Sequence, residues 1–116
     1  MSDSTTTISE LRQLVNSFVE ERDWHQFHSP KNLSMAMAIE AAELMEHFQW
    51  LTIEQSRDTK IQPEKLHDIG EELADVLCYA LAMANSLEID ISQVVQKKME
   101  KNRLKYPAET FRGKFE

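Results

Sequence analysis

The sequence has few of the residues that interrupt helices. Its 116 residues include 2 glycines and 3 prolines, and its β-branched residues are scattered rather than clustered. Glycine and proline mark the turns of sheet proteins, and clustered β-branched residues mark strands. The sequence therefore predicts an all-α fold. With 2 glycines in total, it also excludes a glycine-rich loop that cradles phosphates.

Cysteine, long apolar runs and positive charge are also scarce. One cysteine excludes a disulfide framework and a cysteine zinc site, and Cys78 is predicted to be a reduced core residue. No apolar run approaches a membrane span, and the polar start MSDSTTTISE lacks the features of a secretory signal, so we expect a cytoplasmic protein without a membrane partner. The net charge of −7 disfavours a nucleic-acid polymer as partner, although an anionic small molecule can bind where a metal supplies positive charge.

The apolar periodicity predicts one domain over residues 1–116, built from four helices, with residues 1–6 and 108–116 as flexible tails. The helices are expected at about 7–22, 30–50, 63–87 and 90–107, and residues 51–62 are expected to be mainly a connection. Thr7, Ser29 and Asp90 have the positions of helix caps, and Pro30 and Pro63 stand where a missing N–H costs nothing.

Two carboxylate pairs stand out among these helices. Glu40 and Glu43 lie three residues apart in IEAAELMEHFQW, and Glu72 and Asp75 are spaced alike in GEELADVLCYA. An i, i+3 pair lies on one helical face, so each helix projects two acids the same way. Such pairs also occur on ordinary solvated faces, but two pairs that each border an apolar stripe favour a shared site for a hard divalent cation, Mg²⁺ or Mn²⁺.

Two further segments carry residues that suit a ligand. The connection DWHQFHSPK gathers Trp24, Phe27 and two histidines, and these side chains either cover a core edge or line a pocket. No third ligand supports a zinc site there. The last helix ends in KKMEKNRLKYP, whose cations either complement the helix dipole or contact the far end of a polyphosphate.

Four segments in this order resemble the MazG-like all-α nucleotide pyrophosphohydrolases, most closely their dCTP pyrophosphatase branch. They are RDWHQFHSPKNL, EAAELMEHFQW, EELADVLCYALA and KMEKNRLKYP, and the resemblance covers about residues 22–107. It implies a four-helix bundle that forms a homodimer or a tetramer of two dimers, with active sites where subunits meet. It also implies Mg²⁺-dependent hydrolysis of a nucleoside triphosphate to the monophosphate and pyrophosphate, as nucleotide-pool housekeeping.

The resemblance assigns roles to individual residues. The magnesium ligands and catalytic acids are Glu40, Glu43, Glu72 and Asp75. The aromatic positions around the base are Trp24, Trp50 and Tyr79. The positions near sugar and phosphates are Lys31, Asn32, Lys98, Asn102 and Tyr106, and His28 is counted with the substrate-binding residues without a defined role.

Three readings follow from the sequence. The first is a pyrophosphohydrolase for dCTP or a modified dCTP, and the second keeps the fold but takes dUTP, a phosphoribosyl nucleotide or a broader range of triphosphates. The third is a non-catalytic helical module whose acidic face binds a basic partner. Which glutamate activates water, which phosphorus is attacked and how many ions take part stay open at this point.

Overall fold

Most of the helices begin where the sequence supplies a capping side chain. The computed structural model describes residues 1–114, which contain no strand and six helices: α1 (Ile8–Glu21), α2 (Pro30–Glu46), α3 (Ile53–Asp58), α4 (Pro63–Leu87), α5 (Ile91–Lys105) and α6 (Ala108–Phe111). The all-α prediction is therefore confirmed. None of the helices within these residues combines the length and apolarity needed to cross a membrane.

The predicted helix starts are found at their caps. Thr7 and Glu10 form a reciprocal capping box, in which the Thr7 hydroxyl accepts from the Glu10 N–H at 3.1 Å and the Glu10 carboxylate accepts from the Thr7 N–H at 3.2 Å. The Ser29 hydroxyl caps α2, with Pro30 at its first position, and the Asp90 carboxylate caps α5. These side chains satisfy backbone donors that have no partner within the helix.

Two predicted boundaries are wrong. α2 ends at Glu46 rather than Trp50, because the His47 and Phe48 N–H groups donate to carbonyls three residues back and tighten the chain into a turn. Trp50 therefore does not continue the acidic face of α2. The predicted connection 51–62 contains α3, with a capping box formed by Thr52, and the 3₁₀ turn Thr59–Ile61. Helices this short need caps but no sustained apolar stripe, which is why the periodicity missed them.

Both predicted tails contain hydrogen-bonded structure. The Ser2 carbonyl accepts from the N–H groups of Thr5 and Thr6, and the ring of Phe111 in α6 packs edge-on against Tyr106 at 5.3 Å between centroids. The flexibility of these segments and the single-domain organisation stay predictions. Residues 115–116, at the end of the second tail, lie outside the described residues.

The centre of the fold is α4, against which α1 and α2 pack. The buried apolar side chains lie where these three helices meet: Val19, Leu33, Leu81, Ala82 and Ala84. Removing such side chains from water provides most of the driving force for this packing.

Arg12 joins α1 to the end of α4. Its Nη1 donates to the carbonyl of Ile89 at 2.6 Å and its Nη2 to that of Ala84 at 3.1 Å, while Nε donates to Asn85 Oδ1 at 3.0 Å. Asn85 Nδ2 returns a hydrogen bond to the Arg12 carbonyl at 3.1 Å. The guanidinium thus adds hydrogen bonds at the end of α4, where the Ala84 carbonyl also accepts from the Ile89 N–H at 3.0 Å, and its charge suits that end of the dipole.

Helix α5 has only slight contact with the other helices. Its predicted packing face stays open, with Val94, Val95 and Met99 all exposed, and Leu73 on α4 is 56 % exposed. The radius of gyration is 17.1 Å, against about 13 Å for a compact chain of this length. One chain therefore leaves much of its apolar helix surface uncovered.

We predict that Arg12→Met destabilises the fold. The change keeps the aliphatic stem but removes three hydrogen bonds and leaves Asn85 Oδ1 without its donor, a loss of about 1–3 kcal/mol. Urea unfolding followed by far-UV circular dichroism, at one fixed protein concentration, measures the effect. Gln13→Met, an exposed position next to Arg12, is the matched control. Equal midpoints for the two variants would contradict the structural role of Arg12.

Candidate functional site

The packing of α2 against α4 brings the two acid pairs together. Glu40, Glu72 and Asp75 each offer an oxygen, and these three oxygens lie within 4.8 Å of one another. Glu43 follows Glu40 by three residues on α2, and its carboxyl raises the pKa of both Glu40 and Glu72. We call these four residues the acid cluster. The geometry therefore assembles one site from two helices, as the spacing predicted.

Crowding changes the acidity of the acid cluster. A hydrogen bond with Glu43, followed by burial and by the charges of Glu43 and Asp75, raises the pKa of Glu40 from 4.5 to about 7. Burial, followed by a hydrogen bond with Glu43 and by its charge, raises the pKa of Glu72. A hydrogen bond between two carboxyls needs a proton on one of them, so the protein without a metal favours a partly protonated cluster.

No cation of the described residues neutralises the acid cluster. The ion pairs present join Arg22 to Glu21 and His67 to Glu71, both away from these acids. Oε2 of Glu40 and Oε2 of Glu72 are buried without hydrogen-bond partners. Buried anionic oxygens without a partner are costly. A set of hard oxygen ligands with unsatisfied lone pairs fits a divalent cation.

A second group with metal-ligating side chains lies farther toward the start of α4. It consists of His67, Asp68 and Glu71, all exposed, and its histidine Nε2 already lies 2.9 Å from Glu71 Oε1. It has no buried oxygen without a partner, so within residues 1–114 the acid cluster is the better candidate.

The aromatic loop after α1 is positioned by a left-handed residue. Asp23 has φ 52°, which an aspartate tolerates better than most residues, and the Trp24 N–H donates back to the Val19 carbonyl at 3.0 Å. This closing turn brings the Trp24 ring edge-on to Phe18 at 5.8 Å between centroids. The loop therefore lies over the end of α1 instead of extending into solvent.

An aromatic pocket lies between this loop and α4. The centroid of the His28 ring is 6.2 Å from that of Trp24 and 6.4 Å from that of Tyr79. A cavity of about 350 Å³ is bordered by these rings, by Asp75 and Cys78 and by apolar side chains of α1. The same residue, Asp75, thus borders both the acid cluster and the aromatic pocket.

Two α4 side chains in this pocket, Tyr79 and Cys78, carry protons at neutral pH. Burial, followed by the negative charges of the acid cluster, raises the pKa of Tyr79, so its phenol keeps its proton. Cys78 is exposed and lines the pocket, so its predicted place in the core is wrong. It borders the cavity between α4 and α1, one helical turn before buried Ala82, and this open space leaves its side chain uncovered. Burial and the Asp75 charge raise the pKa of the thiol, which therefore stays protonated.

The other expected site residues lie away from these contacts. Trp50 is 87 % exposed in the turn after α2. Lys31 is exposed, and Asn32 donates to the Phe27 carbonyl at 3.0 Å, which braces the aromatic loop. Lys98 and Asn102 lie on α5, and Tyr106 follows its last residue. Within residues 1–114, no hydrogen bond, ion pair or aromatic contact joins any of these three residues to the acid cluster.

Helix α1 contributes to the pocket, which its residues alone did not indicate. Leu14, Val15 and Phe18 line the same cavity as Trp24 and Tyr79. The apolar residues of α1, among them Leu11, Val15 and Phe18, indicate by themselves only a buried face. Phe18, which is half-exposed, is only a weak indication of a pocket. An aromatic residue at the edge of an apolar stripe as often covers the hydrophobic core.

Three kinds of comparison place this geometry among known proteins. The family model described as the MazG-like family matches residues 35–114. The chain is 40 % identical to dCTP pyrophosphatase 1 of Bos taurus over 110 residues, which is 95 % of this chain and 65 % of that protein. It is 41 % identical to the Homo sapiens protein of the same name over 107 residues, which is 92 % of this chain and 63 % of that protein. The chain thus spans slightly less than two thirds of these relatives.

A solved structure shares the fold over nearly all of both chains. The crystal structure of a pyrophosphatase from Archaeoglobus fulgidus DSM 4304 superposes with a TM-score of 0.78 at 36 % identity, covering 92 % of this chain and 98 % of that one. The arrangement of helices that assembles the acid cluster therefore has a close experimental counterpart.

We predict that the metal-free protein loses stability as pH rises from about 4.5 to 7. The folded state holds a proton on Glu40 that the unfolded chain releases near 4.5, so raising the pH removes this contribution as Glu40 ionises near 7. Thermal melts in EDTA across this range measure it. Glu40→Gln should flatten the dependence, whereas the exposed-site variant Glu46→Gln should keep it. Parallel curves for Glu40→Gln and wild type would show that Glu40 is not the responsible group.

Proposed function

Because this chain belongs to the MazG-like family, we propose that it hydrolyses a nucleoside triphosphate to the monophosphate and pyrophosphate. The preferred substrate in this proposal is dCTP or a modified dCTP. The observation that carries it is the acid cluster, with its unsatisfied buried oxygens, beside an aromatic pocket that shares Asp75. The two mammalian relatives named dCTP pyrophosphatase 1 and the archaeal pyrophosphatase support the same reaction.

The acid cluster is the proposed site for Mg²⁺, and Mn²⁺ suits the same oxygens. Glu40, Glu72 and Asp75 would hold the ion, since their oxygens already lie within 4.8 Å of one another. A bound divalent ion supplies charge neutralisation for phosphate oxygens and acidifies bound water. Glu43 is not among these three ligands, so in this proposal it stays uncommitted to the ion and orients or deprotonates the attacking water.

The aromatic pocket is the proposed base site. Trp24 and Tyr79 present ring faces on which a base can stack, at about 1–3 kcal/mol per base. Stacking accepts any base, so hydrogen bonds to the base edge must provide the discrimination. The cavity of about 350 Å³ has room for a pyrimidine with an added substituent, which is why modified dCTP is included.

We also propose that the site is completed in a homo-oligomer, either a dimer or a tetramer of two dimers. The apolar faces of α4 and α5 are open in one chain, with Leu73 and Val95 each more than half exposed. Exposed apolar surface of this kind favours association with a second copy of the chain, which would bury it. The residues that one chain keeps apart from its own acid cluster would then serve a neighbouring copy: Trp50, Lys98, Asn102 and Tyr106. Cytoplasmic location stays a prediction of the sequence.

We predict that pyrophosphate release requires both a divalent ion and Glu43. Wild type should release pyrophosphate fastest from dCTP among the common dNTPs and NTPs with Mg²⁺, and should stop in EDTA. Glu43→Gln keeps the shape of the side chain but cannot take a proton, so turnover should fall about 10²-fold or more while helical content is unchanged. Glu46 lies three residues after Glu43 and is exposed on α2, so the control variant Glu46→Gln should retain the wild-type rate.

The outcomes of this assay separate the readings. Fastest release from dUTP, or equal release from many triphosphates, would keep the enzyme and discard the cytosine preference. Normal turnover by Glu43→Gln would remove it from the mechanism. No release from any substrate, from a folded protein supplied with Mg²⁺, would return weight to the non-catalytic interaction module.

We predict that two inactive variants restore activity when mixed. Glu43→Gln removes a group from the acid cluster, and Lys98→Ala removes a cation from α5. If α5 serves a neighbouring copy, subunit exchange creates sites that carry neither change, so activity should reappear above that of either variant alone. Mixing Glu43→Gln with Glu72→Gln, both in one acid cluster, is the control and should stay inactive. Failure of the first pair to complement, with exchange verified by mass spectrometry, would place Lys98 at the site of its own chain.

A further inference from the structure

Three residues, 88–90, connect α4 to α5, and we call them the α4–α5 linker. Glu88 has φ 54°, the left-handed conformation that commonly ends a helix, and the N–H groups of Glu88 and Ile89 both donate to the Ala84 carbonyl. The carboxylate of Asp90 then caps the start of α5. The linker is so short that its conformation sets the direction in which α5 leaves α4.

Little besides this linker holds α5 to the rest of its own chain. Helix α5 has only slight contact with the other helices. A cavity of about 760 Å³ lies between α1 and the start of α5, and it is lined by Ser9 and Gln13 from α1 and by Ile91 and Ser92 from α5. Packing against α1 therefore does not fix the direction of α5.

Arg12, which also lines this cavity, ties the linker to α1. Its Nη1 donates to the Ile89 carbonyl at 2.6 Å, and within residues 1–114 no other hydrogen bond joins the linker to α1 or α2. Its Nη2 donates to the Ala84 carbonyl, which also accepts from the linker N–H groups. Asn85 holds the guanidinium in this orientation, since it accepts from Nε and donates to the Arg12 carbonyl. The guanidinium presents its donors in a fixed fork, which a lysine ammonium does not reproduce.

A small change at the linker becomes large at the far end of α5. Asn102 lies 12 residues after Asp90, which is about 18 Å along a helix at ~1.5 Å per residue. A tilt of about 20°, the usual scatter of helix crossing angles, would move that end by about 6 Å. This displacement exceeds the reach of a hydrogen bond, and Lys98 on the same helix would move with it.

We propose that Arg12, braced by Asn85, is a positioning residue that sets the direction of α5 and thereby places Lys98 and Asn102 for a triphosphate. This inference rests on the proposed function, in which these two α5 residues serve the acid cluster of a neighbouring copy. Arg12 does not touch the substrate. It acts through the linker, because α5 has little else in its own chain to hold it in place.

The direct test is the direction of α5 in the metal-free, nucleotide-free protein, measured by amide residual dipolar couplings. In wild type, the couplings of α1, α2 and α4 define one frame, and those of α5 should fit this frame with the direction seen in the structure. Arg12→Lys keeps the positive charge but loses the fork of donors, so the α5 couplings alone should depart from the frame.

Two control variants separate positioning from other effects. Arg57→Lys makes the same exchange at an exposed position of α3 and should leave the α5 couplings unchanged. Thr7→Ala removes the cap of α1 without touching the linker. It should lower the stability of the fold but leave the direction of α5 unchanged.

Unchanged α5 couplings in folded Arg12→Lys would overturn the proposal, as would wild-type α5 couplings that do not fit the frame of the other helices. If Arg12→Lys does not fold, Asn85→Ala replaces it, because this change removes the brace of the guanidinium. The same comparison of couplings then decides.

A second readout uses turnover of dCTP with Mg²⁺. Arg12→Lys should raise KM about tenfold with little change in kcat, since phosphate contacts are lost while the acid cluster is intact. Mixing it with Glu43→Gln should restore sites of wild-type KM, because its acid cluster then meets an intact α5. Mixing it with Lys98→Ala should not, and restoration by that pair would overturn the proposal. Because the couplings need no turnover, failure of this inference and failure of the proposed function are distinguishable.

Discussion

The mutual repulsion of four carboxylates at the contact between α2 and α4 is the constraint on which the rest of the site depends. Two helices bring oxygens of Glu40, Glu72 and Asp75 within 4.8 Å of one another, and no cation of residues 1–114 pairs with them. Without a metal, burial and the neighbouring carboxylates raise the pKa of both Glu40 and Glu72 and favour a proton within the cluster. A divalent ion relieves the same repulsion without a proton. The helix packing thus accepts an electrostatic cost that metal binding offsets.

The aromatic pocket lies directly beside the acid cluster. Helix α1 and the Asp23 turn close one side of the aromatic pocket, Tyr79 closes the other, and Asp75 connects the pocket to the acids. The aromatic pocket and the acid cluster lie on the same side of α4, since Asp75 borders both and Tyr79 stands one helical turn after it. The apolar faces of α4 and α5 are open in one chain.

Local chemistry made much of this predictable. The caps at Thr7, Ser29 and Asp90 set helix starts because they are properties of a few neighbouring residues. The i, i+3 acid pairs were equally local. The position of Trp50 could not be predicted in this way, because the end of α2 depends on a tightened turn that no sequence signal marks. The role of α1 in the aromatic pocket and the open state of α5 depend on packing between distant segments, which periodicity cannot specify.

The measurement closest to the central claim is anomalous X-ray scattering from crystals grown with Mn²⁺. Manganese accepts the oxygen ligands that magnesium does and can be located by its own signal. Our account predicts a peak ligated by Glu40, Glu72 and Asp75, with Glu43 beside it. A peak at His67, Asp68 and Glu71 instead, or no peak at the acid cluster at a saturating Mn²⁺ concentration, would contradict it.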